Sequence, residues 1–143
     1  ACPTAELLDR LIPVARRAGE LIMEIYASDF AVRGKNDASP VTEADERAEA
    51  AIVAALQAAW QDIPVIAEES VAAGHIPTIG KRFWLIDPLD GTKEFIGRNG
   101  EFTVNIALIE DGEPVAGVVL APALGRLFAG ATGTGAFAAA GPR

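Results

Sequence analysis

The sequence is poor in the residues that most often carry chemistry on their own. Its 143 residues include one cysteine, one methionine and one tyrosine, and aromatic residues make up only 6%. The single cysteine, Cys2, excludes an intramolecular disulfide and suits a reducing compartment. At the chain's edge it reads as a surface thiol rather than a nucleophile. The sole histidine, His75, lies in a Gly/Pro-flanked stretch and reads as an exposed loop residue rather than a ligand. No run approaches the roughly 18 apolar residues of a membrane span. The first turn carries Glu6 and Asp9 instead of a basic region before an apolar one, so a signal peptide is not expected. The expected location is the cytoplasm, with peripheral membrane association left open. Positive charge is also scarce: 12 Lys and Arg face 20 Asp and Glu, a net charge of −8. That balance excludes a tracking surface for nucleic-acid polymers. The basic pairs Arg16-Arg17 and Lys81-Arg82 are too few to change this. A small phosphorylated substrate stays allowed if cations screen the site.

Apolar residues, by contrast, are plentiful at 50%. That is too many for a solvated coil and enough for the core of one domain. Leu7, Leu8, Leu11, Ala15, Ala18, Ile22 and Ile25 recur at helical steps, which predicts a helix over Thr4 to Tyr26 capped by Thr4. Pro13 predicts a kink, or a helix that effectively starts there. After the turn-rich stretch from Arg33 to Pro40, a second helix is expected, with Thr42 as its cap and Asp45 at the third helical position. Its stripe would be Ala48, Ala51 or Ile52, Ala55, Leu56 and Ala59, with Pro64 beyond its end. Val65-Ile66-Ala67 and Phe83-Trp84-Leu85-Ile86 then read as strands, separated by a surface loop over 71–82. Strands over 102–109 and 114–121 flank Asp111-Gly112, a strong hairpin signal. Short strands over 124–129 and 135–138 complete an α+β domain, two helices on a mostly antiparallel sheet.

Three acidic elements stand out. The first is Asp87-Pro88-Leu89-Asp90-Gly91-Thr92, delivered by a buried strand whose pairing Pro88 should end. Two carboxylates brought together repel unless a cation neutralises them, and hard oxygen donors suit Mg²⁺ or Mn²⁺. The amides of Gly91, Thr92 and Lys93 would face an anion if a helix starts there. An ordinary Asx-capped turn would also carry Asp-Gly-Thr, so this string alone decides little. Spacing does exclude an EF-hand, whose ligand positions would fall on Leu89 and Arg98, and no phosphate loop of the Walker type occurs. The second element is Glu68-Glu69; strand alternation would turn only one of the pair toward an ion. The third is Lys35 to Asp45, which includes Ser39-Pro40-Val41-Thr42-Glu43.

Together, Ser39-Pro40-Val41-Thr42-Glu43-Ala44-Asp45, Glu68-Glu69-Ser70 and Asp87-Pro88-Leu89-Asp90-Gly91-Thr92 closely resemble the lithium-sensitive, Mg²⁺-dependent phosphomonoesterases of the inositol monophosphatase superfamily. Lys93-Glu94-Phe95-Ile96 and the Lys-x-Asp-x-Ser-Pro-Val-Thr form of Lys35 to Thr42 are closest to its 3′(2′),5′-bisphosphate nucleotidase branch. Gly133-Thr134-Gly135-Ala136-Phe137 resembles the glycine-rich strand near the end of the family's first domain.

The resemblance implies the first half of a layered αβαβα fold and two or three Mg²⁺ ions, or Mn²⁺ in their place. It implies Glu68, Asp87 and the Leu89 carbonyl on one ion, Asp87 and Asp90 on a second, and Glu68 reaching a third through water. Thr92 would orient the attacking water with Asp45 accepting its hydroxyl proton, and the Gly91 and Thr92 amides would grip the phosphate beside Asp87 and Asp90. The expected reaction is removal of the 3′-phosphate from adenosine 3′,5′-bisphosphate, with inositol or sugar phosphates such as fructose 1,6-bisphosphate as the alternative substrates. A homodimer is compatible with the resemblance. Family members carry a second half with a Trp-Asp motif whose Asp completes a metal site. Trp60 precedes Gln61 and Trp84 precedes Leu85, so residues 1–143 read as the N-terminal metal-binding domain, its C-terminal partner domain absent. A metal- or phosphate-binding fragment without turnover is therefore the competing expectation.

Overall fold

The computed structural model describes residues 4–27, 40–67, 82–97, 100–132 and 135–140. The polar stretch before Pro40, Glu68-Glu69-Ser70, His75, Lys81, Cys2 and Gly133-Thr134 lie outside the described residues. The element order is α1 (Thr4–Tyr26), α2 (Pro40–Ala59), β1 (Val65–Ala67), β2 (Arg82–Asp90), α3 (Thr92–Ile96), β3 (Thr103–Glu110), β4 (Glu113–Ala121), β5 (Arg126–Ala131) and β6 (Gly135–Ala140). The six strands lie in sequence order in one sheet. β1 runs parallel to β2, and every other pairing is antiparallel. This is the expected α+β arrangement.

The stripe predicted for α1 is buried in full, from Leu7 to Ile25. The helix runs unbroken through Pro13 instead of starting there. Pro13 sits on the exposed side, and buried leucines and alanines on both sides of it hold the axis on the sheet. In α2 the buried stripe is Ala44, Ala48, Ile52 and Leu56, one residue every four. This helix begins at Pro40, so Thr42 lies inside the first turn and is not the cap. A proline is well suited to the first helical position, since the N–H it lacks would have no partner there.

Strand alternation gives the sheet two different faces. One carries Trp84, Ile86, Val104, Ile106, Leu108, Val118, Leu120 and Leu127, all buried against α1 and α2. The other carries Leu85, Asp87, Asn105, Ala107, Val119 and Phe128; Val119 is 39% and Phe128 49% exposed. Between β3 and β4, Asp111 (φ 53°) and Gly112 (φ 80°) both adopt left-handed backbone, the pattern of a type I′ hairpin turn. No helix among the described residues is long and apolar enough to cross a membrane.

Candidate metal and phosphate site

The site is built where β2 leaves the sheet. Trp84 and Ile86 point into the core, so alternation turns Asp87 to the outer face, where it is half-buried opposite Asn105 of β3. Pro88 was expected to end the pairing. Instead the ladder is interrupted between Asp87 and Asp90 and resumes with Asp90 opposite Thr103. The irregularity absorbs the missing proline N–H without terminating the strand. It also carries Pro88 and Leu89 as a consecutive buried pair, leaving Asp90 exposed at the strand's end. Two carboxylates and the Leu89 carbonyl therefore lie on one short, bent segment.

Gly91 makes the turn that follows. Its φ of 96° and ψ of 52° are left-handed. A β-carbon there would come 3.2 Å from the Phe102 α-carbon and 3.3 Å from the Glu101 carbonyl oxygen. Residue type is thus fixed by both conformation and space. The five-residue helix α3 begins at Thr92, with Phe95 N–H donating to the Gly91 carbonyl at 3.0 Å. Thr92 and Lys93 are exposed at its start.

Such a short helix has little stability of its own. Phe95, fully buried, anchors it. Its ring lies 5.2 Å from Phe102 and 5.4 Å from Tyr26, and Tyr26 lies 4.8 Å from Phe102. Tilted aromatic contacts of this kind add to the area they bury. The end of α1, the start of β3 and the Asp-Gly-Thr turn are held by one cluster. Helix α2 also packs against α3.

Asp45 lies in the second turn of α2, half-buried and engaged in an interaction. Asp87 is likewise engaged. Glu68 lies outside the described residues, just beyond β1, which pairs directly with β2. Among the described residues, no three His, Cys, Asp or Glu side chains gather closely enough to hold an ion. What the structure does bring together is Asp87, Leu89, Asp90, Gly91 and Thr92.

One residue of this region carries no motif: Asn105. Its Nδ2 donates to Asp90 Oδ2 at 3.2 Å. Its Oδ1 is buried with no hydrogen-bond partner among the described residues. Buried acceptors in such a state are rare and call for a donor. Asp87, Asp90 and the Leu89 carbonyl beside it are all oxygen donors, the chemistry preferred by a hard, hydrated divalent cation. In donor type these residues suit such an ion, although among the described residues they form no closed cluster of three acidic, His or Cys side chains. The signal for Asn105 in the sequence was one polar residue inside Val104-Asn105-Ile106-Ala107-Leu108, an otherwise apolar strand.

The chain belongs to the inositol monophosphatase family, whose model matches residues 4–141. It is 50% identical over 129 residues to the 3′(2′),5′-bisphosphate nucleotidase CysQ of Salmonella typhimurium, covering 89% of this chain and 52% of that protein. The CysQ of Haemophilus influenzae is 35% identical over 123 residues, covering 85% and 46%. Among solved structures, CysQ from Bacteroides thetaiotaomicron matches with a TM-score of 0.78 and 42% identity, over 96% of this chain and 50% of that one. An inositol monophosphatase from Zymomonas mobilis matches with a TM-score of 0.81 and 28% identity, over 99% and 53%. The chain spans about half the length of the curated relatives it matches.

Proposed function

We propose that this chain supplies the metal- and phosphate-binding half of a Mg²⁺-dependent phosphomonoesterase that releases the 3′-phosphate of adenosine 3′,5′-bisphosphate. The observation that carries the reading is the Asp87–Thr92 segment: two aspartates on one bent strand end, followed by a left-handed Gly91 and a helix start. The choice of substrate rests on the 50% identity to a bisphosphate nucleotidase and on Lys93-Glu94-Phe95 after the turn.

In this reading Glu68, Asp87 and the Leu89 carbonyl would hold one ion and Asp87 and Asp90 a second, with Glu68 also serving a third. Bound divalent ions would supply charge neutralisation for the attacking and leaving oxygens. The chain's own groups supply orientation. The amides of Gly91 and Thr92 face the phosphate, where the helix start favours negative charge. Thr92, a poor base by itself, directs a lone pair to the attacking water when Asp45 accepts its hydroxyl proton.

Rates of phosphate release from adenosine 3′,5′-bisphosphate, inositol 1-phosphate and fructose 1,6-bisphosphate, measured in parallel with Mg²⁺ on this chain joined to a second half such as its relatives carry, test this. The bisphosphonucleotide is expected to be the preferred substrate. The likeness to the Zymomonas mobilis inositol monophosphatase supports inositol phosphates as the second reading. A large preference for inositol 1-phosphate would establish it. Mg²⁺ binding without turnover on any of the three would favour a binding role instead.

A further inference from the structure

We propose that Asn105 is a positioning residue of the metal site, presetting the Asp90 carboxylate from the neighbouring strand; this rests on the metal-dependent reading above. A carboxylate accepts hydrogen bonds and cannot donate them. The contact with Asp90 Oδ2 at 3.2 Å therefore fixes which end of the amide is nitrogen. The oxygen end is then the buried one, and it has no partner among the described residues.

A polar side chain kept only for packing would have both ends satisfied, or would be replaced by an apolar one of its size. Asn105 stands between Val104 and Ile106, whose side chains are buried on the opposite face under the helices. It lies opposite Asp87 in the ladder, and its amide is bonded to Asp90. It lines a shallow groove of about 180 Å³ together with Asp87, Leu85, Ala107, Gly117 and Val119. Held by Nδ2, the exposed Asp90 carboxylate loses rotamer freedom before any ion arrives, which lowers the entropy lost on binding. Groups that orient metal ligands in this way typically change affinity by about 10–100-fold.

The test is calorimetric titration of the chain with Mg²⁺ alone, for the wild type, N105L and D87N, alongside thermal unfolding in EDTA. Leucine shares asparagine's branching at Cγ and has no polar atoms. N105L is expected to weaken Mg²⁺ binding about 10-fold or more while its unfolding midpoint in EDTA does not fall. An unchanged Mg²⁺ affinity in N105L would overturn the proposal, whatever its stability. Should N105L fail to fold, the wild-type Asn105 side-chain amide resonances decide the matter. They should shift on addition of Mg²⁺, and resonances that stay put while Mg²⁺ binds would overturn the positioning role. A wild-type chain that binds no Mg²⁺ at all, equal to D87N, would instead overturn the metal reading beneath it.

Discussion

Asn105 and Ile106 are adjacent in β3, yet they belong to two different parts of the molecule. Ile106 faces the helices and is almost fully buried, with Trp84, Leu108 and Val118 around it on the same face. Asn105 faces outward beside Asp87, on a surface where Val119 and Phe128 stay partly exposed. The inner face is apolar throughout, and the core cluster on it is continuous from Leu7 of α1 to Ala129 of β5. The outer face mixes apolar residues with the polar groups at the end of β2. Period-two alternation thus separates what holds the fold together from what does its chemistry, even within a dipeptide. It follows that substitutions one residue apart should fail in different ways.

The largest effect is expected on the outer face. Asp87→Asn removes a charge that both ions would share, and turnover of the bisphosphonucleotide should fall by about a thousand-fold, ~4 kcal/mol of transition-state stabilisation. The unfolding midpoint in metal-free buffer should change little. A folded D87N protein with near-normal turnover would dissolve the separation.

Ile106→Ala tests the inner face. Denaturant unfolding should show a loss of about 2–5 kcal/mol, the range for truncating a buried aliphatic side chain. The Mg²⁺ affinity of the molecules that remain folded should be unchanged. A weakened Mg²⁺ affinity at full occupancy of the folded state would mean that the two faces are coupled.

Gly91→Ala sits at the junction of the two. Left-handed backbone and the nearby Phe102 and Glu101 main chain should together cost roughly 1–3 kcal/mol. Part of that strain should also appear as weaker phosphate binding, read by titration with inorganic phosphate in the presence of Mg²⁺. A stability loss with unaltered phosphate affinity would reduce the glycine to a turn former.

The smallest effect belongs to the exposed apolar residues of the outer face. Val119→Thr should shift unfolding free energy by no more than about 0.5 kcal/mol, as surface changes usually do. A loss of several times that would show that this face is covered in the folded protein.

The inner face was legible in the sequence because its periods are long. The seven apolar positions of α1 spaced at three and four residues gave both the helix and its buried side. Asp111-Gly112 gave the hairpin, since few other pairs tolerate two left-handed residues in succession. Punctuation residues were less faithful guides. Pro13, Thr42 and Pro88 were each read by local rule: α1 does not start at Pro13, α2 begins at Pro40 ahead of Thr42, and the β2–β3 ladder resumes after Pro88. Helix α3 was foreseen only as a helix start, because five residues are too few for a stripe and only Phe95 marks its buried side. Asn105 escaped notice for a different reason. Its role depends on lying opposite Asp87 across a strand pair, and register between strands has no local signature. The pairing of Asp45 with Thr92 and the part assigned to Glu68 stay proposals. They rest on resemblance, and Glu68 lies outside the described residues.

Crystals of the chain soaked in Mn²⁺ and measured at the manganese edge would test the central claim most directly. Anomalous density is expected beside the Asp87 and Asp90 carboxylates, with the Leu89 carbonyl among its ligands and the Asn105 amide still bonded to Asp90. Manganese bound elsewhere, with Asp87 and Asp90 turned away from any ion at saturating concentration, would contradict it.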